Sequence, residues 1–228
     1  MVKRGKLQAV FFDCNGVIVD DEPIHMRLFQ EVLAEEDISL TVPEYYAAYI
    51  GMDDKGAFTH ILTREKRRVT PEMIAELVGR KADLYQRAIQ RELVIFPGAV
   101  RLVKALSGKI PLGLVSGALR HEIDLILISA GIRSCFQIVV SSEDFVHGKP
   151  NPEPYQIGLK RLKKIVGPLT PKSCVGIEDT VAGLESVHAA GMKCLAVATS
   201  SSIESLQKAE RAVEALDRMT PDDIEALI

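Results

Sequence analysis

The chain has 228 residues, of which 47% are hydrophobic and 26% are charged, and a formal net charge of −3 at pH 7. This composition is typical of a folded globular protein and excludes an intrinsically disordered chain. The small net charge gives little support for nucleic-acid binding, and no run of 18 apolar residues is available to span a membrane. Residues 1–5 are basic, but the apolar run after them is too short for a secretory signal, and the four cysteines lack metal-type spacing. We therefore expect a cytoplasmic protein with free thiols and neither a membrane nor a nucleic-acid partner.

Short apolar runs recur along the chain and predict strands. They lie at 7–12, 111–115, 137–140, 173–177 and 193–197. The segments between the later runs have apolar residues at helical spacing. These predicted helices lie at 101–106, 121–130, 152–166 and 181–190. Such alternation predicts an α/β fold, a doubly wound parallel sheet with a Rossmann-like core and helices on both faces.

Residues 20–93 interrupt this alternation, because they contain no convincing strand. Four helices are predicted there, at 23–36, 43–50, 54–66 and 71–91. The Pro97-Gly98 pair marks the return to the alternating pattern. We therefore predict an α/β core domain made of residues 1–19 and 94–228, and an inserted all-helical cap domain made of residues 20–93.

Residues suited to phosphate chemistry follow the predicted strands. They are Asp13, Ser116, Gly117, Glu178 and Asp179, with Lys149 on the loop at 148–152. Ligands of open α/β sheets bind outside the carboxyl ends of the strands, so we expect these residues to lie together. Carboxylate oxygens suit Mg²⁺, hydroxyl and ammonium groups suit phosphate oxygens, and a carboxylate can form an aspartyl-phosphate. The set is therefore suited to metal-assisted phosphoryl transfer.

Three motifs occur in order along the chain. They are Phe-Phe-Asp-x-x-Gly-Val-Ile-Val-Asp-x-Glu-Pro-x-His at 11–25, Gly-Lys-Pro-x-Pro at 148–152 and Glu-Asp-x-x-x-Gly at 178–183. With them, nearly the whole chain resembles the haloacid dehalogenase-like superfamily, in the phosphatase branch with a small helical cap and closest to the β-phosphoglucomutase-like subgroup. The resemblance implies Mg²⁺ as cofactor, a small phosphorylated metabolite as substrate and an aspartyl-phosphate intermediate.

The resemblance also implies roles for individual residues. Asp13 corresponds to the nucleophile and a metal ligand, and Asn15 corresponds to a metal ligand through its backbone carbonyl. Asp179 corresponds to the direct acidic metal ligand, with Glu178 beside it or bound through water. Ser116 and Lys149 correspond to the groups that clamp the phosphate. The other candidates for substrate contact are Gly117 and Arg120 near the Ser116 turn, Glu22 and His25 at the cap entrance, and Lys81 and Met52 in the cap.

Asn15 departs from the pattern of the family's phosphatases, which carry an aspartate there as general acid and base. An amide has no usable pKa, and general acid–base catalysis is typically worth about 10²–10⁴-fold. Three explanations remain open: a deliberate substitution that traps a complex, a natural variant with weak or different activity, or a substrate whose leaving group needs no acid. The dehalogenase branch also lacks this aspartate, but the paired Glu178 and Asp179 favour Mg²⁺ and phosphate.

The expected function is Mg²⁺-dependent hydrolysis of a small organic phosphate, such as a sugar phosphate, by a monomer. A sugar phosphomutase is a less favoured alternative. In the loop at 49–55 the places where mutases hold basic residues carry Ile50 and Asp54, and Lys55 is the only base nearby. A catalytically silent member that binds a phosphate ligand or a protein remains a third hypothesis.

Overall fold

The computed structural model describes residues 6–50 and 52–228, so the basic residues 1–5 and Gly51 of the 49–55 loop lie outside the described residues. The described chain forms two compact units, one from residues up to 20 together with 94–228, and the other from 21–93. Among the described residues, no helix combines the length and the apolar character that a membrane crossing requires.

The strands of the described residues all belong to the first unit. They are β1 (Ala9–Phe12), β2 (Val19–Asp20), β3 (Val94–Ile95), β4 (Leu112–Val115), β5 (Ile138–Val140), β6 (Cys174–Glu178), β7 (Lys193–Val197) and β8 (Arg211–Val213). Six of them form one sheet in the order β5-β4-β1-β6-β7-β8, with parallel neighbours throughout. The short strands β2 and β3 form a separate antiparallel pair. The α/β fold with a parallel sheet is therefore confirmed.

The helices are divided between the units. They are α1 (Glu22–Ala34), α2 (Val42–Ala48), α3 (Asp54–Arg64), α4 (Pro71–Glu92), α5 (Pro97–Leu106), α6 (Arg120–Ser129), α7 (Glu153–Val166), α8 (Val181–Ala189) and α9 (Pro221–Glu225). The first four make up the unit at 21–93, as predicted for the helical insertion, and the others alternate with the strands of the sheet. The prediction missed β8, α9 and the two-residue strands β2 and β3.

Strand β1 lies at the centre of the sheet and is covered on both faces. All residues of Ala9–Phe12 are fully buried, as expected for a strand of a parallel sheet that has helices on either side. On one face, Phe11 packs in the same apolar cluster as Leu162 of α7 and Leu184 of α8. Full burial of such side chains contributes about 1.5–3 kcal/mol each.

The register of the sheet brings three strand ends to one edge. Phe12 of β1 lies opposite Leu114 of β4 and opposite Ile177 of β6. The backbone N–H of Asp13 then donates to the carbonyl of Ile177 at 3.0 Å. The residues that follow β1, β4 and β6 therefore emerge side by side, at the edge where open α/β sheets bind ligands.

The helices of the second unit begin at side chains that accept hydrogen bonds from the first helical turn. Thr41 and Glu44 form a reciprocal capping box at α2, Asp53 accepts from Gly56 N–H at α3, and Thr70 caps α4. Such caps satisfy backbone donors that have no intrahelical partner. The buried faces of these helices form a core of their own, which includes Phe29, Tyr45, Phe58, Ile61, Leu62 and Leu77.

Candidate active site

Three carboxylates lie together at the carboxyl edge of the sheet. Oxygen atoms of Asp13, Glu178 and Asp179 all lie within 4.8 Å of one another. Asp13 follows β1, Glu178 ends β6, and Asp179 is the next residue. Their residues are 8%, 0% and 2% exposed, respectively. Like charges at this spacing and burial repel strongly unless a cation lies among them.

Lys149 supplies one positive charge to this cluster. Its Nζ lies 2.9 Å from Oδ1 of Asp13 and 2.6 Å from Oε1 of Glu178, and it donates to the carbonyl of Val115 at 3.3 Å. Burial alone would lower the pKa of Lys149, but attraction to Asp13 and Glu178 outweighs burial and raises that pKa. Lys149 therefore stays an ammonium ion held against the nucleophile candidate.

The cluster still has an excess of negative charge, because three carboxylates face one ammonium. Burial raises the pKa of Glu178 to about 7, partly offset by Lys149. Burial, with repulsion from Asp13 and Glu178, raises the pKa of Asp179 well above its usual value. Oε2 of Glu178 and Oδ1 of Asp179 are buried and have no hydrogen-bond partner among the described residues. Unpartnered anionic oxygens are costly to bury, so the donor set fits a divalent cation.

Two glycines make room for these carboxylates. Gly16 has φ +71°, and a Cβ there would lie 1.8 Å from Oδ2 of Asp179. A Cβ at Gly183 would lie 1.9 Å from Oε2 of Glu178. Only glycine fits both the space and, at position 16, the left-handed backbone. The glycines of the first and third motifs are thus explained by the carboxylates that pack on them.

Asn15 and Ser116 lie beside each other at the same edge. The Ser116 hydroxyl donates to Oδ1 of Asn15 at 3.3 Å and accepts from the backbone N–H of Ala118 at 3.1 Å. A Cβ at Gly117 would meet no atom within 4 Å, so there is open space next to the hydroxyl. The predicted core residues Asp13, Asn15, Ser116, Gly117, Lys149, Glu178 and Asp179 therefore follow adjacent strands and lie around this one edge; their individual roles remain predictions.

Arg120 is held by other groups in the same unit. One guanidinium nitrogen donates to the carbonyl of Val139 at 2.9 Å and to Asp144 at 2.7 Å. Arg161 donates to the same aspartate at 2.6 Å. These contacts tie the segment after β5 to α6 and α7. A substrate role for Arg120 stays a prediction, and it would have to compete with these partners.

The four predicted cap residues belong to the second unit. Lys81 is fully buried, and its Nζ lies 2.7 Å from Oδ1 of Asp54 and 2.7 Å from Nδ1 of His25. Glu22 accepts a hydrogen bond from Tyr45 at 2.6 Å. Met52 is 40% exposed. Their contacts with substrate remain predictions.

Two residues near the carboxylates were not predicted from the sequence. The Tyr155 hydroxyl, on α7, donates to Oε1 of Glu178, and burial raises the pKa of Tyr155 well above its usual value, with the charge of Glu178 adding to the effect. The Ser200 hydroxyl, in the loop after β7, lies beside the carboxylate of Asp179. The run of hydroxyl residues at 199–202, directly after a predicted strand, is a signal that could have identified Ser200, whereas Tyr155 carried no comparable signal.

The chain is similar in sequence to proteins named as phosphatases. The chain is 28% identical over 225 residues to the chloroplastic 5-amino-6-(5-phospho-D-ribitylamino)uracil phosphatase of Arabidopsis thaliana, covering 98% of this chain and 58% of that protein. It is 25% identical to the fructose-1-phosphate phosphatase YqaB of Escherichia coli strain K12, covering 83% and 95% of the two chains.

The fold is also found among solved structures. β-Phosphoglucomutase from Clostridium difficile superposes with a TM-score of 0.81 at 23% identity, covering 97% of this chain and 96% of that chain. At this identity the likeness concerns the fold alone. The family model for haloacid dehalogenase-like hydrolases matches residues 7–191 of the sequence. The chain therefore belongs to the haloacid dehalogenase-like hydrolase family.

Proposed function

We propose that this protein is a Mg²⁺-dependent phosphatase that hydrolyses a small phosphorylated sugar or polyol. The observation that carries the proposal is the cluster of Asp13, Glu178 and Asp179. Lys149 pairs with Asp13 and Glu178, while one buried oxygen each of Glu178 and Asp179 has no hydrogen-bond partner among the described residues. The named activities of the relatives support the substrate class, since both printed names contain a phosphorylated sugar or polyol.

The carboxylates and one backbone carbonyl would hold the metal. The proposed ligands are Asp13, Asp179, the carbonyl of Asn15, and Glu178 directly or through water. When bound, Mg²⁺ would neutralise charge on the phosphoryl oxygens and on the cluster. The fit rests on the unpartnered buried oxygens of Glu178 and Asp179.

The chain's own residues would carry the covalent chemistry. A carboxylate oxygen of Asp13 attacks phosphorus, and the bond from phosphorus to the ester oxygen breaks as the alkoxide leaves. Water then attacks the aspartyl-phosphate, which releases inorganic phosphate and restores the carboxylate. Lys149 and the Ser116 hydroxyl would hold phosphoryl oxygens during both steps, because both lie at the edge where Asp13 emerges.

Asn15 leaves this mechanism without a general acid and base at position 15. Its side chain accepts from Ser116, but an amide neither protonates the leaving alkoxide nor deprotonates the attacking water. The leaving group must then take its proton from solvent. We expect substrates with acidic leaving groups to react relatively faster than sugar phosphates, because their oxygen leaves without a proton.

We also propose that the helical unit selects the substrate, with Glu22, His25, Met52 and Lys81 as its contact residues. The resemblance to capped family members supports this role. Within the unit, Lys81 is already paired with Asp54, so it offers less charge to a second phosphate than a free lysine would. A monophosphate substrate is therefore favoured over a bisphosphate, and a phosphatase over a phosphomutase.

Asn15 itself favours one other function, a catalytically silent member of the family that binds phosphate ligands. Both functions are tested by comparing the chain with N15D on sugar monophosphates and p-nitrophenyl phosphate, with Mg²⁺ or with EDTA. For the phosphatase, N15D should raise kcat on sugar monophosphates by about 10²–10⁴-fold and less on the aryl ester. If neither protein releases phosphate with Mg²⁺, the phosphatase proposal is wrong; calorimetric binding of inorganic phosphate would then support the silent member.

A further inference from the structure

The loop after β7 carries four consecutive hydroxyl residues, at 199–202, which we call the hydroxyl loop. Strand β7 pairs in parallel with β6, and Ala196 lies opposite Glu178. The hydroxyl loop therefore leaves the sheet next to the point where Asp179 follows β6. No step of the proposed reaction uses these hydroxyl groups.

Two side chains of the hydroxyl loop bond to the two segments that carry the acids. Thr199 Oγ1 donates to the backbone carbonyl of Gly16 at 2.5 Å. The Ser200 hydroxyl lies beside the carboxylate of Asp179, where it is placed to donate to that group. A Cβ placed on Gly16 would lie 1.8 Å from Oδ2 of Asp179 and 2.9 Å from Oγ of Ser200. The carboxylate and the hydroxyl thus meet over the glycine of the turn that follows Asp13.

The hydrogen bond from Ser200 has a specific consequence for Asp179. Asp179 is buried, and its Oδ1 lacks a hydrogen-bond partner among the described residues. A donor on the carboxylate fixes its rotation about the Cβ–Cγ bond. Glu178 already has two such partners, Tyr155 and Lys149.

We propose that Ser200 is a positioning residue that orients Asp179 for the metal, and that Thr199 anchors the hydroxyl loop to the turn at Gly16. The inference rests on the proposed function, since it assigns Asp179 to the metal site. Partners that orient metal-binding side chains typically contribute about 10–100-fold in metal affinity or activity. Because Ser200 acts through the carboxylate, its loss should appear first as weaker metal binding.

The test is isothermal titration calorimetry of Mg²⁺ into the apo protein without substrate. We expect S200A to raise the Kd for Mg²⁺ by about 10-fold. S201A, the same truncation one residue along the loop, is the matched control and should bind as the unsubstituted chain does. S200T keeps a hydroxyl and should bind Mg²⁺ about as tightly as the unsubstituted chain. S200V has the same shape without the hydroxyl and should bind Mg²⁺ more weakly. Thermal unfolding in EDTA shows whether each variant is folded. If S200A does not fold, the comparison of S200T with S200V still tests the hydroxyl.

The outcomes separate this inference from the function on which it rests. If the unsubstituted chain binds Mg²⁺ and S200A or S200V binds it equally well, Ser200 does not position Asp179. The inference is also wrong if S200T and S200V weaken binding equally, since the hydroxyl is then not the cause. If the unsubstituted chain binds no Mg²⁺ at millimolar concentration, the metal assignment itself is overturned, together with the inference.

Discussion

Two lysines that lie against carboxylates, one in each unit, show how differently the units use charge. Lys149 lies beside Asp13 and Glu178, in a cluster whose buried oxygens include some with no partner in the part of the chain that the structure describes. Lys81 lies beside Asp54 and His25, and Nε2 of His25 lies 3.1 Å from Asp21 in turn. The first arrangement leaves carboxylate oxygens without partners among the described residues, whereas each of these groups in the second lies at hydrogen-bond distance from the next.

The contacts of the second network also determine which ring nitrogen of His25 carries the hydrogen. A lysine ammonium has donors only, so Nδ1 of His25 accepts from Lys81 and its Nε2–H donates to Asp21. Asp21 further accepts from Tyr85 at 2.5 Å. The difference teaches that a buried charge does not by itself indicate a reactive site. Buried carboxylate oxygens without a hydrogen-bond partner do indicate such a site, because only they leave a place for a cation or a substrate.

The largest expected effect comes from removing the nucleophile candidate. D13N should lower kcat/KM for phosphate release by about 10⁴-fold or more, as losses of a covalent nucleophile do. The substitution is made in the N15D background, so that the starting rate is high enough to measure. Activity of D13N/N15D within 10-fold of N15D would contradict the covalent mechanism, whatever the effect on metal binding.

The next effect concerns the lysine of the unsatisfied cluster. K149M should lower kcat by about 10²–10³-fold, the usual loss when one donor to the transition-state oxygens is removed. Lys160 is an exposed lysine of α7, and K160M is the matched control, expected to keep the original kcat. Steady-state assays at saturating Mg²⁺ measure both variants, and an equal, small effect of both would remove Lys149 from the chemistry.

The comparison predicts opposite stability changes when one acid is neutralised in each unit. D179N removes a negative charge from a buried cluster of like charges, so the free energy of unfolding in EDTA should rise by about 1–3 kcal/mol. D54N leaves the buried ammonium of Lys81 without its carboxylate, so the same quantity should fall by about 1–3 kcal/mol.

Urea titrations followed by circular dichroism measure both variants. Mg²⁺ should increase the stability of D54N, as it does that of the unsubstituted chain, but not that of D179N. If the unfolding free energies of D179N and D54N change with the same sign in EDTA, the two clusters respond alike. The unpartnered oxygens of the first cluster would then not distinguish it from the second.

Much of the fold followed from the sequence because its signals are local. The five predicted strands are buried apolar runs that end at or within one residue of the prediction, and the helices of 21–93 begin at caps such as Thr41 and Thr70. Strand β8 (Arg211–Val213) was missed because it is three residues long, lies at the edge of the sheet and is not fully buried. Short edge strands carry little periodicity, so their pairing depends on the rest of the sheet.

The acids at the strand ends could be predicted, because the topology of a parallel sheet brings such ends together. The partners of those acids could not. Tyr155 reaches Glu178 from a helix that packs on the sheet, and Ser200 reaches Asp179 from the next strand's loop. Both contacts join residues more than 20 positions apart and depend on side-chain direction. The hydrophobic periodicity of the sequence likewise does not predict the contacts of Lys81 with Asp54 and His25.

Asp144 offers a further satisfied acid and the smallest expected effect. It accepts from Arg161 at 2.6 Å, from Arg120 at 2.7 Å and from the backbone N–H of Ser141 at 2.9 Å. The hydrogen bond from Arg161, more than any other contact, lowers the pKa of Asp144 well below its usual value. This direction is opposite to that of Glu178 and Asp179.

The sign of the pH dependence follows from that direction. Asp144 ionises more readily in the folded than in the unfolded chain, so its contribution to stability is present above the unfolded pKa of about 3.9 and is lost as pH falls below it. Both arginines are partly exposed, so we expect a contribution of only about 1–2 kcal/mol. The unsubstituted chain should exceed D144N in unfolding free energy by this amount at pH 6, and the difference should shrink steadily below pH 4, because protonation then gives the native chain the same neutral side chain. A difference that stays constant from pH 6 to pH 3 would show that the ion pairs with Arg120 and Arg161 do not supply it.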